Sequence, residues 1–181
     1  MESVERNGPW NFDNNLLLLC RWRKGLSVAN ISFTHSLFWI QVWDLPFESM
    51  SEEVGRDLGN ILGKYIASDK QSWLSKQAKF MRIQVDLPID KPLRRGENIV
   101  NPEGDKYWVT FKYERLPNFY FPCGILGNDK KHCSGYSSNL EVHRQYGDWL
   151  RVNGSPKSGI EEPRASSSGG FEEWKDEGYD D

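Results

Sequence analysis

The chain has 181 residues and a mass of 21.0 kDa, room for one ordinary domain and a tail but not for two full-sized domains with a long linker. Hydrophobic residues are only 38% and mean hydropathy is -0.68, yet aromatics reach 13% with eight tryptophans, a ring content that excludes a wholly disordered chain. The net charge of -3 is unevenly placed: residues 151–181 hold four basic and eight acidic residues, which leaves 19 against 18 in residues 1–150, a neutral body with an acidic tail.

No apolar run approaches the roughly 18–20 residues of a membrane helix, and the start Met1-Glu2-Ser3-Val4-Glu5-Arg6 has no apolar core of a secretory signal. The odd cysteine count, Cys20, Cys123 and Cys133, argues against a disulfide framework. These features predict an intracellular protein that is not secreted, with the nucleus as a candidate compartment.

In chain order, Asn14 to Trp22 predicts a strand, since Leu16 to Leu19 form an apolar run between Asn14-Asn15 and the basic Arg21, Arg23 and Lys24. Its continuous apolarity predicts burial on both faces. Phe38 to Trp43 predicts a second strand, with Phe38, Ile40 and Val42 alternating against Trp39, Gln41 and Trp43 until Pro46. Ser49 followed by Glu52 has the form of a capping box, and Val54, Leu58, Ile61, Leu62, Tyr65 and Ile66 recur at helical spacing. Gly55, Gly59 and Gly63 recur every four residues along that helix, each costing about 1 kcal/mol of propensity, as expected where one side packs closely against a sheet. Lys79 to Leu87 and Tyr107 to Tyr113 predict a third and a fourth strand by period-two alternation, with Pro92 and Gly96 bracketing a basic turn of Lys91, Arg94 and Arg95. The expected architecture is α+β: a strand-helix-strand-strand unit whose helix covers one sheet face and leaves the other open. Pro, Ser, Gly and acidic residues dominate the rest of the chain, so 153–181 read as a disordered acidic tail.

Residues 120–133 carry the most informative spacing. A zinc knuckle follows C-x-x-C-x-x-x-x-H-x-x-x-x-C because three thiolates and an imidazole converge on one Zn(II), with glycines allowing the backbone to turn tightly. Laid on that frame, Tyr120 stands at the first Cys, Cys123 at the second, Asn128 at the His and Cys133 at the last. Cys123 and Cys133 are the candidate metal ligands and zinc the candidate cofactor of a degenerate knuckle; His132 could substitute only with a rearranged loop.

Five ordered landmarks, Gly8-Pro9-Trp10-Asn11-Phe12 with its leucine run, Phe38-Trp39-Ile40-Gln41-Val42 with Pro46, Lys91-Pro92-Leu93-Arg94-Arg95-Gly96, Tyr113-Glu114-Arg115-Leu116-Pro117-Asn118-Phe119 and Tyr146-Gly147-Asp148-Trp149-Leu150, resemble a plant family. That family pairs a domain of unknown function with a CCHC-type zinc knuckle in products derived from LINE-type retrotransposons. The resemblance implies nucleic-acid binding, with zinc in intact members. It also implies that residues 1–30 are the remnant of a truncated N-terminal unit whose strand lacks partners. The expected organisation is then 31–116 for the strand-helix-strand-strand unit, 117–135 for the knuckle, 136–152 for a C-terminal extension and 153–181 for the tail.

The residues read by themselves point the same way. Trp39 to Leu45 has the texture of the first strand motif of RNA-recognition modules, and Trp108-Val109-Thr110-Phe111 resembles the end of their other motif, which makes Trp39, Trp43 and Trp108 candidate stacking platforms. Core packing is the competing use for each ring. Residues 79–131 hold ten basic against seven acidic residues; within them Arg94, Arg95, Lys130 and Lys131 are the candidate phosphate contacts, with Trp108 and Phe121 as candidate base contacts. His35, His132 and His143 have no nucleophile motif around them, and no phosphate-cradling loop or paired acidic metal site is present, so the expected activity is non-catalytic binding of single-stranded RNA or DNA. The rival expectation is a vestigial or protein-interaction fragment, self-associating or bound to a partner through its apolar rings.

Overall fold

Period-two alternation in three central strands organises the molecule. In the computed structural model, which describes residues 7–75, 78–101, 104–129, 131, 133 and 145–152, strands β3 (His35–Trp43), β5 (Phe80–Pro88) and β7 (Lys106–Tyr113) pair antiparallel around β3. β4 (Lys64–Asp69) and β6 (Gly96–Val100) extend the two edges, giving the order β4-β5-β3-β7-β6. Partners directly across the ladder share a face. Phe38 with Val85, Ile40 with Ile83 and Tyr113, and Val42 with Met81 and Phe111 therefore line one side, and all are fully buried.

Helix α1 (Glu52–Leu62) covers that side with a stripe of Gly55, Leu58, Gly59 and Leu62. The glycines set the distance: a Cβ on Gly55 would stand 2.9 Å from Met81 Sδ, and one on Gly59 2.8 Å from the Tyr65 ring. The close approach lets Leu58 and Leu62 bury fully, about 1.5–3 kcal/mol each. The α+β class and the close-packed glycine side agree with the sequence reading, but the helix boundaries do not. Its cap is Ser51, whose Oγ accepts from the Val54 N–H at 3.2 Å, while Ser49 lies in the preceding 3₁₀ turn Phe47–Ser49. The helix stops at Leu62, four residues short, because Asn60 Oδ1 takes the Tyr65 N–H at 3.2 Å and the edge of β5 offers a ladder to the chain beyond Gly63. Tyr65 and Ile66 belong to β4. That strand, β6 and the short helix α2 (Gln71–Leu74) are additions to the expected order.

The N-terminal segment is also a correction. The leucine run does not form a strand buried on both faces; only Asn15–Leu17 is extended, as β2 of a hairpin with β1 (Trp10–Phe12), and Leu17 and Leu19 are about half exposed. Asp13 and Asn14, both at positive φ, make the tight two-residue turn whose twist suits a hairpin. The expected lack of partners is likewise overturned, since β2 pairs with β1 and the hairpin is held to the body: the Asn118 N–H donates to the Asn14 carbonyl at 2.7 Å, and Asn11 Nδ2 to the Arg115 carbonyl at 2.6 Å.

Residues 145–152 enter the core from the other end. Leu150 is fully buried, Val152 N–H donates to the Tyr113 carbonyl at 3.1 Å, and Arg151 Nη2 donates to the Pro117 carbonyl at 3.1 Å. The expected tail, 153–181, lies outside the described residues. At the centre of this packing the buried Tyr113 hydroxyl donates to the Arg94 carbonyl at 2.7 Å, and burial pushes its pKa up. Tyr113→Phe leaves that carbonyl without its donor and is expected to cost about 1–3 kcal/mol in urea unfolding; an unchanged midpoint would contradict the arrangement.

Candidate nucleic-acid interface

The second sheet face is set by the alternate residues of the same strands. Trp43 stands beside Phe80 and Thr110, Gln41 beside Arg82 and Lys112, and Trp39 beside Gln84. A face so mixed needs its charges paired and its polar ends bonded. Arg82 meets both oxygens of Glu114, Nε to Oε1 and Nη2 to Oε2 at 2.8 Å each, and reaches Asp69 Oδ2 at 3.4 Å. Gln41 Nε2 donates to Glu114 Oε1 at 3.0 Å, and Trp43 Nε1 donates to Gln41 Oε1 at 3.1 Å. The guanidinium lies 3.9 Å from the Trp39 ring centre, Lys112 Nζ 5.1 Å from that of Trp43, and the Trp43 and Phe80 rings are 5.1 Å apart. Such a fork locks the cation in one plane over the indole.

The electrostatics follow. Burial pushes the Glu114 carboxyl up, but the hydrogen bonds from Arg82 and Gln41 and the charges of Arg82 and Arg115 outweigh it and hold the group below its ordinary 4.5. The Glu114 hydrogen bond, against an opposing cost of burial, raises Arg82. Trp39 and Trp43 are partly buried, whereas Trp108, on the same face of β7, is 40% exposed. Gly96 makes room for it: a Cβ there would stand 2.6 Å from the indole.

The knuckle segment forms the hairpin β8 (Phe119–Tyr120) and β9 (Ile125–Leu126), with a turn in which Cys123 and Gly124 N–H both donate to the Tyr120 carbonyl, at 3.1 and 2.7 Å. Gly124 has φ +71, and a Cβ on it would lie 2.5 Å from the Tyr146 ring, so only glycine allows both the turn and that ring's seat. The Tyr146 hydroxyl is raised by burial, with Arg95 opposing and Cys123 adding to the shift. Leu93 N–H donates to the Gly124 carbonyl at 2.8 Å and ties the turn to the 89–95 segment.

Among the described residues the donor set at the knuckle does not make a four-ligand zinc site. Tyr120 and Asn128 occupy two ligand positions, and Asn128 Nδ2 instead donates to Cys123 Sγ at 3.4 Å, a contact made by a neutral amide where an imidazole would coordinate. Among the described residues no three His, Cys, Asp or Glu side chains gather as a metal site. Cys123 and Cys133 are free thiols.

Of the expected contacts, Trp108 and Phe121 are both more than a third exposed, and Lys131 is exposed. Arg94 Nη1 is bonded to Glu97 Oε2 at 2.7 Å, and Arg95 is half-buried with its carbonyl accepting from the Phe111 N–H at 2.8 Å, so this pair enters the sheet edge rather than swinging free in a turn. Lys130 and His132 lie outside the described residues. Arg82 and Glu114 were not singled out by sequence; Glu114 lies just past the end of β7, level with Trp39 and separated from Arg82 by β3, so the pair is readable only once the register is known.

The zinc knuckle family, of CCHC type, matches residues 87–135, a family that suggests nucleic-acid or zinc binding in general. An uncharacterized protein of Arabidopsis thaliana is 25% identical over 142 residues, 78% of this chain and 44% of that protein, so the chain spans less than half the length of that relative. No solved structure matches the chain. No helix among the described residues is long and apolar enough to cross a membrane.

Two outcomes are expected. Protein purified without chelator should hold well under one zinc per chain and unfold at the same temperature with and without EDTA; a stoichiometric, tightly held zinc would contradict the donor argument. Because the Glu114 carboxyl titrates lower folded than unfolded, its contribution is present above pH 4.5 and lost as pH falls below it. Glu114→Gln should therefore flatten the fall of stability with acid over that range, and an identical pH profile would show the pair to be without effect.

Proposed function

We propose that this chain is a non-catalytic, retrotransposon-derived binder of single-stranded nucleic acid, its open sheet face acting as the platform. The observation that carries the reading is the open face itself: a β3-α1-β4-β5 unit with β7 beside β3, three indoles and a phenyl ring, and Arg82 and Lys112 among them. Unpaired bases stack on such rings at about 1–3 kcal/mol each, and cations beside them take the phosphates. Trp108 is the ring most open to an incoming base; Trp39 already carries the Arg82 guanidinium on its face. Lys112 on that face and Lys131 supply positive charge, while Arg94 and Arg82 serve mainly to hold the frame through Glu97 and Glu114, and Arg95, across from Phe111, belongs to the helix-covered side. The zinc knuckle match and the glycine turn beside that sheet support the same class of ligand. Zinc is not required for it.

A second reading has its own support. Phe12 and Trp22 are each more than three-quarters exposed, and Trp10, Leu17, Leu19 and Phe33 are more than a third exposed within the same short stretch of chain, a concentration of apolar surface of the kind that binds proteins. Salt separates the two.

Anisotropy of a fluorescent single-stranded oligonucleotide, titrated with the protein across a salt series, should show the logarithm of affinity falling with that of salt at a slope of roughly -2 to -3, as expected for about three or four phosphate contacts. Trp108→Ala should weaken binding by about five- to a hundredfold. Binding that ignores both salt and Trp108 would remove the proposal in favour of the protein-interaction reading.

A further inference from the structure

A cleft of about 690 Å³ lies between the turn of the N-terminal hairpin and the knuckle, bordered by Asn14, Asn118, Tyr120, Phe121, Asp148 and Arg151. It is an open depression rather than an enclosed pocket, so a ligand there would keep one side to solvent. It lies partly outside the residues matched by the zinc knuckle family, since Asn14, Asp148 and Arg151 fall before and after 87–135.

The walls are fixed before any ligand arrives. Asn14 sits at φ +62 in the hairpin turn, and its carbonyl accepts from the Asn118 N–H at 2.7 Å; the Asn118 carbonyl in turn accepts from Gly127 N–H at 3.0 Å. Phe121 is propped against the buried Phe119 ring, 5.0 Å away, yet remains 37% exposed. Both asparagine side chains are exposed, and neither carboxamide has a hydrogen-bond partner among the described residues.

The chemistry on offer is selective. Arg151, the cation of the cleft, directs its guanidinium at the Leu116 and Pro117 carbonyls and at Asp148 Oδ1, so a phosphate would meet a cation already engaged and a carboxylate beside it. What remains is an aromatic face and two carboxamides, each offering one acceptor and two donor hydrogens. A planar ligand with donors and acceptors on its rim is the complement: rings stack on its face and amides pair with its edge.

We propose that this cleft is a binding slot for a single unpaired nucleobase, gripped by Phe121 and read at its edge by Asn14 and Asn118. The slot rests on the nucleic-acid reading above and adds to it a second contact, made by the hairpin turn and the knuckle together. The hairpin that sequence alone suggested to be a remnant thereby supplies half of a recognition element.

The test uses the full chain and two labelled probes of equal length, a mixed-sequence single-stranded DNA and the same sugar-phosphate strand with every base removed. Asn14→Gly keeps the left-handed turn while deleting the carboxamide; it is combined with Asn118→Ala, and an unchanged unfolding temperature verifies the fold. The double variant should bind the base-bearing strand roughly tenfold more weakly, the scale of one lost bidentate amide contact, with affinity for the abasic strand and the salt slope on either unchanged. Equal loss on both probes, or no loss on either, would overturn the slot while leaving nucleic-acid binding in place. If the unaltered protein binds neither probe, the nucleic-acid reading fails and the slot with it.

Discussion

The Arg82–Glu114 fork decides what kind of surface this sheet can be. A strand face that presents indoles to solvent ordinarily invites either burial or aggregation. Here one guanidinium is held flat by both oxygens of a carboxylate and laid on Trp39, while the same carboxylate anchors Gln41 and through it the Trp43 indole nitrogen. Rings and charges are thus fixed side by side in one layer. Removing the carboxylate would leave a half-buried cation held only by the longer Asp69 contact, and Arg82 and Gln41 would lose their common partner. The helix-covered face supplies the stability that makes this possible, with Phe38, Ile40, Val42, Ile83, Phe111 and Tyr113 sealed beneath α1.

The knuckle shows the same substitution of one interaction for another. In a four-ligand knuckle the metal closes the loop. In this chain the turn is closed by two N–H groups on the Tyr120 carbonyl, by the Tyr146 ring lying where a Gly124 side chain would be, and by the Leu93 bond to the Gly124 carbonyl. Residues more than twenty positions away on either side therefore do work that a metal does elsewhere. This accounts for the landmarks around residues 91–96 and 146–150 sitting so far from the knuckle in sequence and so near it in space. The hairpin at residues 10–17, docked on Asn118 and Arg115, closes the third side.

Much of the fold was legible because strands β3, β5 and β7 alternate cleanly, and alternation is a local signal. Gly55 and Gly59 were legible for a similar reason, since a costly residue repeated at one helical face implies close packing. The misread parts depend on distant partners. Tyr65 and Ile66 continue a helical pattern, and only the free edge of β5 makes them strand; the four leucines look doubly buried, and only the Asp13-Asn14 turn shortens them to a three-residue hairpin arm. At the site, Trp108 and Phe121 could be named from ring type and motif texture, whereas the partners of Arg82 and Arg94 could not, because Glu114 lies 32 positions from Arg82 and the Arg94–Glu97 pair competes with solvent on equal terms.

The most direct test of the platform is photo-crosslinking of the full chain to a single-stranded oligonucleotide bearing 4-thiouracil, with the attached peptides identified by mass spectrometry. The account predicts adducts on the β7 peptide containing Trp108 and on the β3 peptide containing Trp43, reduced as salt rises. Adducts confined to the apolar stretch between Trp10 and Phe33, or none on β3 and β7 at low salt, would contradict it.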